Sequence, residues 1–370
     1  MTLHKLNPHH APSEPRQLRV GVTLQHESYS FVDTIVNTRA LQALEVATTN
    51  HPIHRTLRCA ARGKLEQLFD DLALQSGLLA QRLDEGTLLL EGPGVFVHAD
   101  GNMKTEYCSC CFHIWAATPA RAEEIGAQLF HVVGERRIRD QMFILDWHFA
   151  TTRDGISSTA FEEIATEVLH DEAYPDLGEP LMDFIARYLD GQETVLILLG
   201  SPGSGKTRLV RTILGEMSRR KGESAEVMYT GDTSAFTNDN IFASFITGSH
   251  DAFVVEDADH LLTSRSSGNL DLHRFLAIAD GVVRAQGRKI LFTTNLPNVH
   301  DIDPALMRPG RCFATLHTRA LTPTEGSRLI ARLCGGELER EVSAFAKCFP
   351  PGTQSCSVAS IYRACSSVSA

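Results

Sequence analysis

Short apolar runs alternate along this chain with segments in which apolar residues recur every three to four positions, the signatures of strands and of helices with one buried face. Up to about residue 150, the runs at 18–23, 87–90, 95–98, 107–115 and 141–149 predict strands. The spacing over 31–47, 64–81 and 119–133 predicts amphipathic helices. Together they predict an α+β domain over residues 16–170, preceded by a loose tail at 1–15. Residues 171–180 are acidic, carry Pro175, Gly178 and Pro180, and read as a linker. Leu181, Phe184, Ile185, Tyr188 and Leu189 then keep helical spacing, so linker and short helix together fill 171–190.

The pattern changes after Gly191. Runs at 194–199, 227–230, 253–255, 290–293 and 314–316 are short and predominantly apolar and are separated by helical segments. Apolar runs without alternation, interleaved with helices, predict a parallel sheet covered on both faces. This gives an α/β core over 191–320. Residues 321–370 are helical in pattern, interrupted at Pro350-Pro351-Gly352, and predict a small helical lid.

Composition narrows the class. A chain of 370 residues has room for two or three domains. A hydrophobic fraction of 43% with 22% charged residues excludes wholesale disorder. The run at 195–199 is as long as any, far below the roughly 20 apolar residues of a membrane-spanning helix. The net charge of −10, with no contiguous basic stripe, argues against a nucleic-acid partner. Nine cysteines is an odd count, and residues 1–15 lack the apolar core of a signal peptide, so reduced thiols and a cytoplasmic location are expected.

Three segments carry chemistry. Gly200, Ser201, Pro202, Gly203, Ser204, Gly205, Lys206 and Thr207 fit G-x-x-x-x-G-K-[ST] between an apolar strand and a helical run that opens with Arg208. Glycines let backbone N–H groups converge into a nest for phosphate oxygens, and the start of the helix adds its dipole. Lys206 can reach the β- and γ-phosphates, and the Thr207 hydroxyl is a hard ligand for Mg²⁺. Next, the strand at 252–255 ends in Glu256 and Asp257, with Asp259 two residues on. A phosphate-loop enzyme needs one carboxylate there for Mg²⁺ and another to orient and deprotonate the attacking water. Finally, the strand at 290–294 ends in Asn295, which can orient the same water.

With these in order, residues 181–370 resemble the AAA+ ATPases. The most specific stretch is Thr294-Asn-Leu-Pro-Asn-Val-His-Asp-Ile-Asp-Pro-Ala-Leu-Met-Arg-Pro-Gly-Arg311, which resembles the second region of homology of the AAA subgroup. The resemblance implies a P-loop α/β fold with a helical lid. Lys206 and Thr207 fall in Walker A, Glu256 and Asp257 at the Walker B pair with Glu256 beside Mg²⁺, and Asn295 at sensor 1. Gly200–Arg208 would bind ATP. Arg308 and Arg311 would be arginine fingers acting on a neighbouring subunit's ATP, which implies a homo-oligomeric ring, commonly a hexamer. Residues 357–362 resemble the lid helix that approaches the nucleotide. A protein client or adaptor is then expected to bind through the amino-terminal domain, with ATP turnover remodelling it. A nucleotide-gated assembly module with little hydrolysis and a DNA-associated loader are the alternatives.

The chain departs from that family at two points. Walker B usually reads Asp-Glu, and here it reads Glu256-Asp257, leaving the water-polarising side chain one methylene short. A displacement of about 1 Å at a catalytic base can cost on the order of a hundredfold in rate, so slow hydrolysis is expected. The segment from Gly231 to Asn238 holds Phe236 but no closely following glycine, which leaves Phe236 as either a pore aromatic or a core residue. In the amino-terminal half, Cys108-Ser-Cys-Cys-Phe-His113 invites a metal reading. Strand alternation splits its ligands between two faces, however, and core packing is the expectation. His4, His9 and His10 read as tail residues, and Trp147 with His148 as a strand end that is either core or partner surface.

Overall fold

The computed structural model describes residues 53–104, 107–138, 142–151, 155–165, 168–237, 239–263, 272–279 and 287–366. The tail at 1–15, the predicted strand at 18–23 and the predicted helix at 31–47 lie outside them. The chain divides into two compact units, one ending at Ile138 and one beginning at Arg139.

The first unit is built on an antiparallel sheet of order β2-β3-β4-β5-β1-β6. Its strands are β1 (Ile53–Arg62), β2 (Leu79–Arg82), β3 (Thr87–Gly92), β4 (Val95–Met103), β5 (Tyr107–Ala116) and β6 (Arg137–Ile138). Helices α1 (Leu65–Gln75) and α2 (Pro119–Val133) share one core with it. Leu65, Leu68, Phe69 and Leu72 of α1 and Ala122, Ile125 and Leu129 of α2 are buried with Cys59, Val97, Phe112 and Ile114. The predicted helix at 64–81 is shorter than expected. Gly77 at φ +66° turns the chain, the Gln128 amide caps the Ser76 carbonyl at 2.6 Å, and the remainder becomes β2. Cys108 and Cys110 are core residues, and burial pushes both thiols up from their ordinary value. Cys111 lies 3.4 Å from the His113 imidazole on the other face of β5.

The second unit is a seven-stranded sheet of order β13-β9-β12-β11-β10-β7-β8, in which β7 is Met142–Thr151 and β8 is Gly155–Ile164. Strands β9 (Val195–Gly200), β10 (Ala225–Thr230), β11 (Ala252–Val255), β12 (Lys289–Thr294) and β13 (Cys312–Thr318) run parallel. Successive residues enter different cores. Leu196, Leu198, Val227, Val254 and Leu291 pack on one side, and Val195, Ile197, Met228, Phe253 and Phe292 on the other. That two-sided burial is why these strands read as unbroken apolar runs. On the first side lie α3 (Leu181–Asp190) and α4 (Lys206–Lys221) together with a lid of α8 (Pro323–Cys334), α9 (Leu338–Cys348) and α10 (Val358–Ser366). The other side holds α5 (Asn240–Thr247), α6 (Asp259–Leu262) and α7 (Leu272–Ala279). Thr322 and Glu325 form a reciprocal cap at the start of the lid.

Two expectations need correction. A boundary near residue 170 placed 141–149 in the first domain. Instead β7 (Met142–Thr151) pairs parallel with β10, and β8 (Gly155–Ile164) closes the sheet antiparallel to β7. Phe143 joins the second unit's core, which is the physical reason. The stretch at 171–180 is no free linker either. Ala173 and Tyr174 are buried in that core, and Asp171 accepts the Leu181 N–H at 2.8 Å. Phe236 is also settled: it is 1% exposed, among Phe242, Phe253 and Phe275, and is no pore aromatic in this chain.

A fragment beginning at residue 139 should therefore unfold in one cooperative transition. A fragment beginning at 171 loses the β7–β8 hairpin and bares the β10 edge. Losing the buried Phe143 side chain alone is worth about 2–3 kcal/mol. Comparing denaturant midpoints and solubility checks this; equal midpoints would contradict it.

Candidate functional site

Parallel pairing brings the sequence-distant motifs to one edge of the sheet. Leu199 pairs with Thr294 and Val255 with Phe292, so the residues that follow β9, β11 and β12 emerge side by side. They line a cleft of about 360 Å³, whose walls include Gly203, Lys206, Thr207, Glu256, Asp257 and Asn295.

The loop after β9 is shaped by close approaches. A Cβ on Gly200 would sit 1.9 Å from the Thr318 carbonyl oxygen, which only glycine avoids. The Ser204 and Thr318 hydroxyls lie 2.7 Å apart and both are buried, so Ser204 anchors the loop. Gly205, at φ +103°, precedes α4, and its carbonyl accepts the Tyr174 hydroxyl at 3.0 Å. The Gly203 carbonyl accepts the Ala359 N–H at 3.0 Å, which brings the start of α10 to the cleft.

Lys206 is the hub. Its ammonium donates to the Gly200 carbonyl at 2.5 Å, to Ser201 at 3.2 Å and to Asn295 Oδ1 at 2.9 Å. Burial lowers its pKa from the ordinary lysine value, while the Asp257, Asp259 and Glu256 carboxylates pull it back up. Thr207 donates to Glu256 Oε1 at 2.9 Å, and the Tyr229 hydroxyl donates to Glu256 Oε2 at 2.8 Å. Burial and the Glu256 charge hold the Tyr229 phenol protonated. Asn295 Nδ2 donates to Asp257 Oδ1 at 2.9 Å.

The two carboxylates thus have different partners. Glu256 sits with the Thr207 hydroxyl, and Asp257 sits with Asn295. Asp257 has φ +49°, in the left-handed region that Asp tolerates better than most residues. It is the one non-glycine residue at positive φ among the described residues. Its N–H donates to Thr293 Oγ1 at 3.1 Å. Asp259 does not reach the cleft as a third acid. Its Oδ1 accepts Thr294 Oγ1 at 2.5 Å and the Asn295 N–H at 2.6 Å, fixing the end of β12.

Arg208 lines the cleft with its guanidinium 4.1 Å from the Tyr362 ring centre, a cation–π contact between α4 and the lid. Arg308 and Arg311 are not brought to this cleft. Arg311 is buried, its guanidinium donates to the Ala305 carbonyl, and its own carbonyl accepts the Val195 N–H at the opposite end of β9. Arg308 is exposed in the same turn. Tyr174 and Tyr229 are the residues that sequence reasoning missed. Each lies in an ordinary-looking segment, and only the fold sets its hydroxyl against the loop or Glu256.

Residues 196–319 match the family "ATPase family associated with various cellular activities (AAA)". The chain is similar to the ATP-dependent zinc metalloprotease FTSH 9, chloroplastic/mitochondrial, of Oryza sativa subsp. japonica. The two are 32% identical over 124 residues, which cover 31% of this chain and 15% of the rice protein. It is similar to the peroxisomal ATPase PEX6 of Mus musculus, 27% identical over 214 residues, covering 53% of this chain and 20% of that one. A probable mitochondrial chaperone bcs1 of Schizosaccharomyces pombe is 30% identical over 148 residues, covering 38% and 31%. The chain spans well under a third of the length of the first two relatives.

The partners of the two carboxylates give opposite expectations for their amides. Glu256→Gln should weaken Mg²⁺-dependent nucleotide binding at least tenfold. Asp257→Asn should leave binding within about threefold while turnover falls on the order of a hundredfold. Fluorescent-nucleotide titration beside phosphate release reads both, and the reverse pattern would exchange the roles.

Proposed function

The C-terminal half of the chain belongs to the AAA+ ATPases, and from that premise we propose that the protein binds Mg-ATP, hydrolyses it slowly within a homo-oligomeric ring, and uses the cycle to remodel a protein client. The observation that carries this reading is the convergence of Lys206, Thr207, Glu256, Asp257 and Asn295 on one cleft.

The loop at 203–207 and the start of α4 would cradle the β-phosphate, and the Lys206 ammonium would lie against the β- and γ-phosphates. Thr207 and Glu256 present adjacent hard oxygens, a donor set that suits Mg²⁺. When bound, that ion neutralises phosphate charge. Tyr229 keeps the Glu256 carboxylate turned towards Thr207. Asp257 then takes a proton from the attacking water while Asn295 positions it. Asp257 is short for that task. The left-handed turn at 257 and the Asn295 amide aim its carboxylate, which favours slow turnover over none.

Arg308 is the residue of the second region of homology that could reach a neighbour's γ-phosphate, since Arg311 is occupied within its own chain. A guanidinium facing developing γ-phosphate charge accelerates transfer by about 10³–10⁵. We assign the finger to Arg308 and a structural role to Arg311. The ring, the client and its binding through the first unit belong to this proposal.

Arg308→Ala should bind ATP within about threefold of the unaltered chain and lose turnover by on the order of a hundredfold or more. Mixing it with Lys206→Ala should restore part of the rate through hybrid interfaces. Phosphate release across a mixing series tests this. A flat series would refute action in trans, and a rate in the unaltered chain equal to that of Lys206→Ala would refute hydrolysis itself.

A further inference from the structure

Away from the nucleotide cleft, the added strand β7 carries a second constellation. Asp146 and His148 alternate on β7 and so face the same side of the sheet. Asp146 pairs with Met228 of β10, and Met228 belongs to the core on the face opposite α4. His250 comes from the connection between α5 and β11 and reaches the same point. His148 Nε2 lies 3.1 Å and His250 Nε2 3.3 Å from a single oxygen, Asp146 Oδ2. One ligand atom from each of the three residues lies within 4.8 Å of the others.

We propose that Asp146, His148 and His250 form a binding site for a borderline divalent metal ion, Zn²⁺ or Co²⁺, separate from the Mg²⁺ of the ATP cleft. The spacing supports it. Ligand bonds of about 2.0–2.1 Å in a tetrahedron leave neighbouring ligand atoms about 3.3 Å apart, and the two carboxylate–imidazole separations match that edge. The donor set supports it as well: two imidazoles with one carboxylate favour Zn²⁺ or Co²⁺ over Mg²⁺, which prefers oxygen and water. Access is available, because the Asp146 side chain is 25% exposed while His148 is 10% exposed. Three protein ligands leave the fourth position to water.

The place in the fold gives the ion a structural role. The loop at 248–251 is already tied to β10, where Ser249 Oγ donates to Glu226 Oε2 at 2.5 Å and Asp251 Oδ2 accepts the Glu226 N–H at 2.8 Å, and to Arg288, which donates to the Gly248 carbonyl at 2.5 Å. A metal would join that loop to β7, the strand that borders β10 and hence Tyr229. Binding to the folded chain alone would raise its thermal midpoint.

The test uses the full chain, stripped with chelator and kept in excess Mg²⁺, and titrated with Co²⁺ and then Zn²⁺ alongside Asp146→Asn and His250→Ala. Asp146→Asn keeps the shape and an acceptor oxygen for both imidazoles, so it separates loss of metal from loss of fold. The unaltered chain should take up one more Co²⁺ than either variant, with visible absorption of tetrahedral Co²⁺, and bind Zn²⁺ at least tenfold more tightly. Zn²⁺ should raise the thermal midpoint of the unaltered chain alone. His4, His9 and His10 are common to all three proteins and cancel in the comparison. Equal uptake and equal midpoint shifts in the three proteins would overturn the proposal, as would loss of uptake in His250→Ala but not in Asp146→Asn.

Discussion

A buried ammonium holds the cleft together. Lys206 bonds at once to the loop it ends and to Asn295, a residue 89 positions later. Through Asn295 it is linked to Asp257, and Asp259 fixes the backbone from which Asn295 projects. The charge is costly to bury and is offset by carbonyl oxygens and three carboxylates, so the site is electrostatically poised before any phosphate arrives. A triphosphate would add its charge to a pocket whose positive groups are already oriented.

Much of this was legible in the sequence because the chemistry follows strand ends. In a parallel sheet, whatever follows β9, β11 and β12 must emerge on one edge, so Thr207, Glu256 and Asn295 are forced together once those apolar runs are recognised as strands. The strands announced themselves because both faces are buried. Less was legible where burial is one-sided. β1 reads Ile-His-Arg-Thr-Leu-Arg-Cys-Ala-Ala-Arg, with polar residues through its first half, and gave no strand signal. β8 is an edge strand with Ser157, Ser158, Thr159, Glu162 and Glu163 along it, the polar composition that keeps an edge from pairing further. Without β8, β7 had no visible partner, and the boundary moved too far along the chain.

Side-chain roles were harder still, because direction is a tertiary property. Arg308 and Arg311 are three residues apart in one motif, yet one is exposed and the other is buried against Ala305. Ser204 belongs to the phosphate-loop pattern, yet its hydroxyl faces Thr318. Tyr174 lies in a Pro- and Gly-containing stretch that looked like a connector, yet it packs under the loop at Gly205. Asp146 and His250 carry no signal in the sequence, His148 read there only as core or partner surface, and the three meet because β7 lies beside β10.

If the Lys206 loop grips a triphosphate, replacing its lysine must weaken nucleotide binding. Calorimetric titration of the full chain with Mg-ATP, beside Lys206→Ala under the same conditions, tests it most directly. Saturable binding of one nucleotide per chain, weakened at least tenfold by the substitution, is the expected result. A chain that gives no binding heat at any temperature tried, or that binds equally well with alanine at 206, would contradict it.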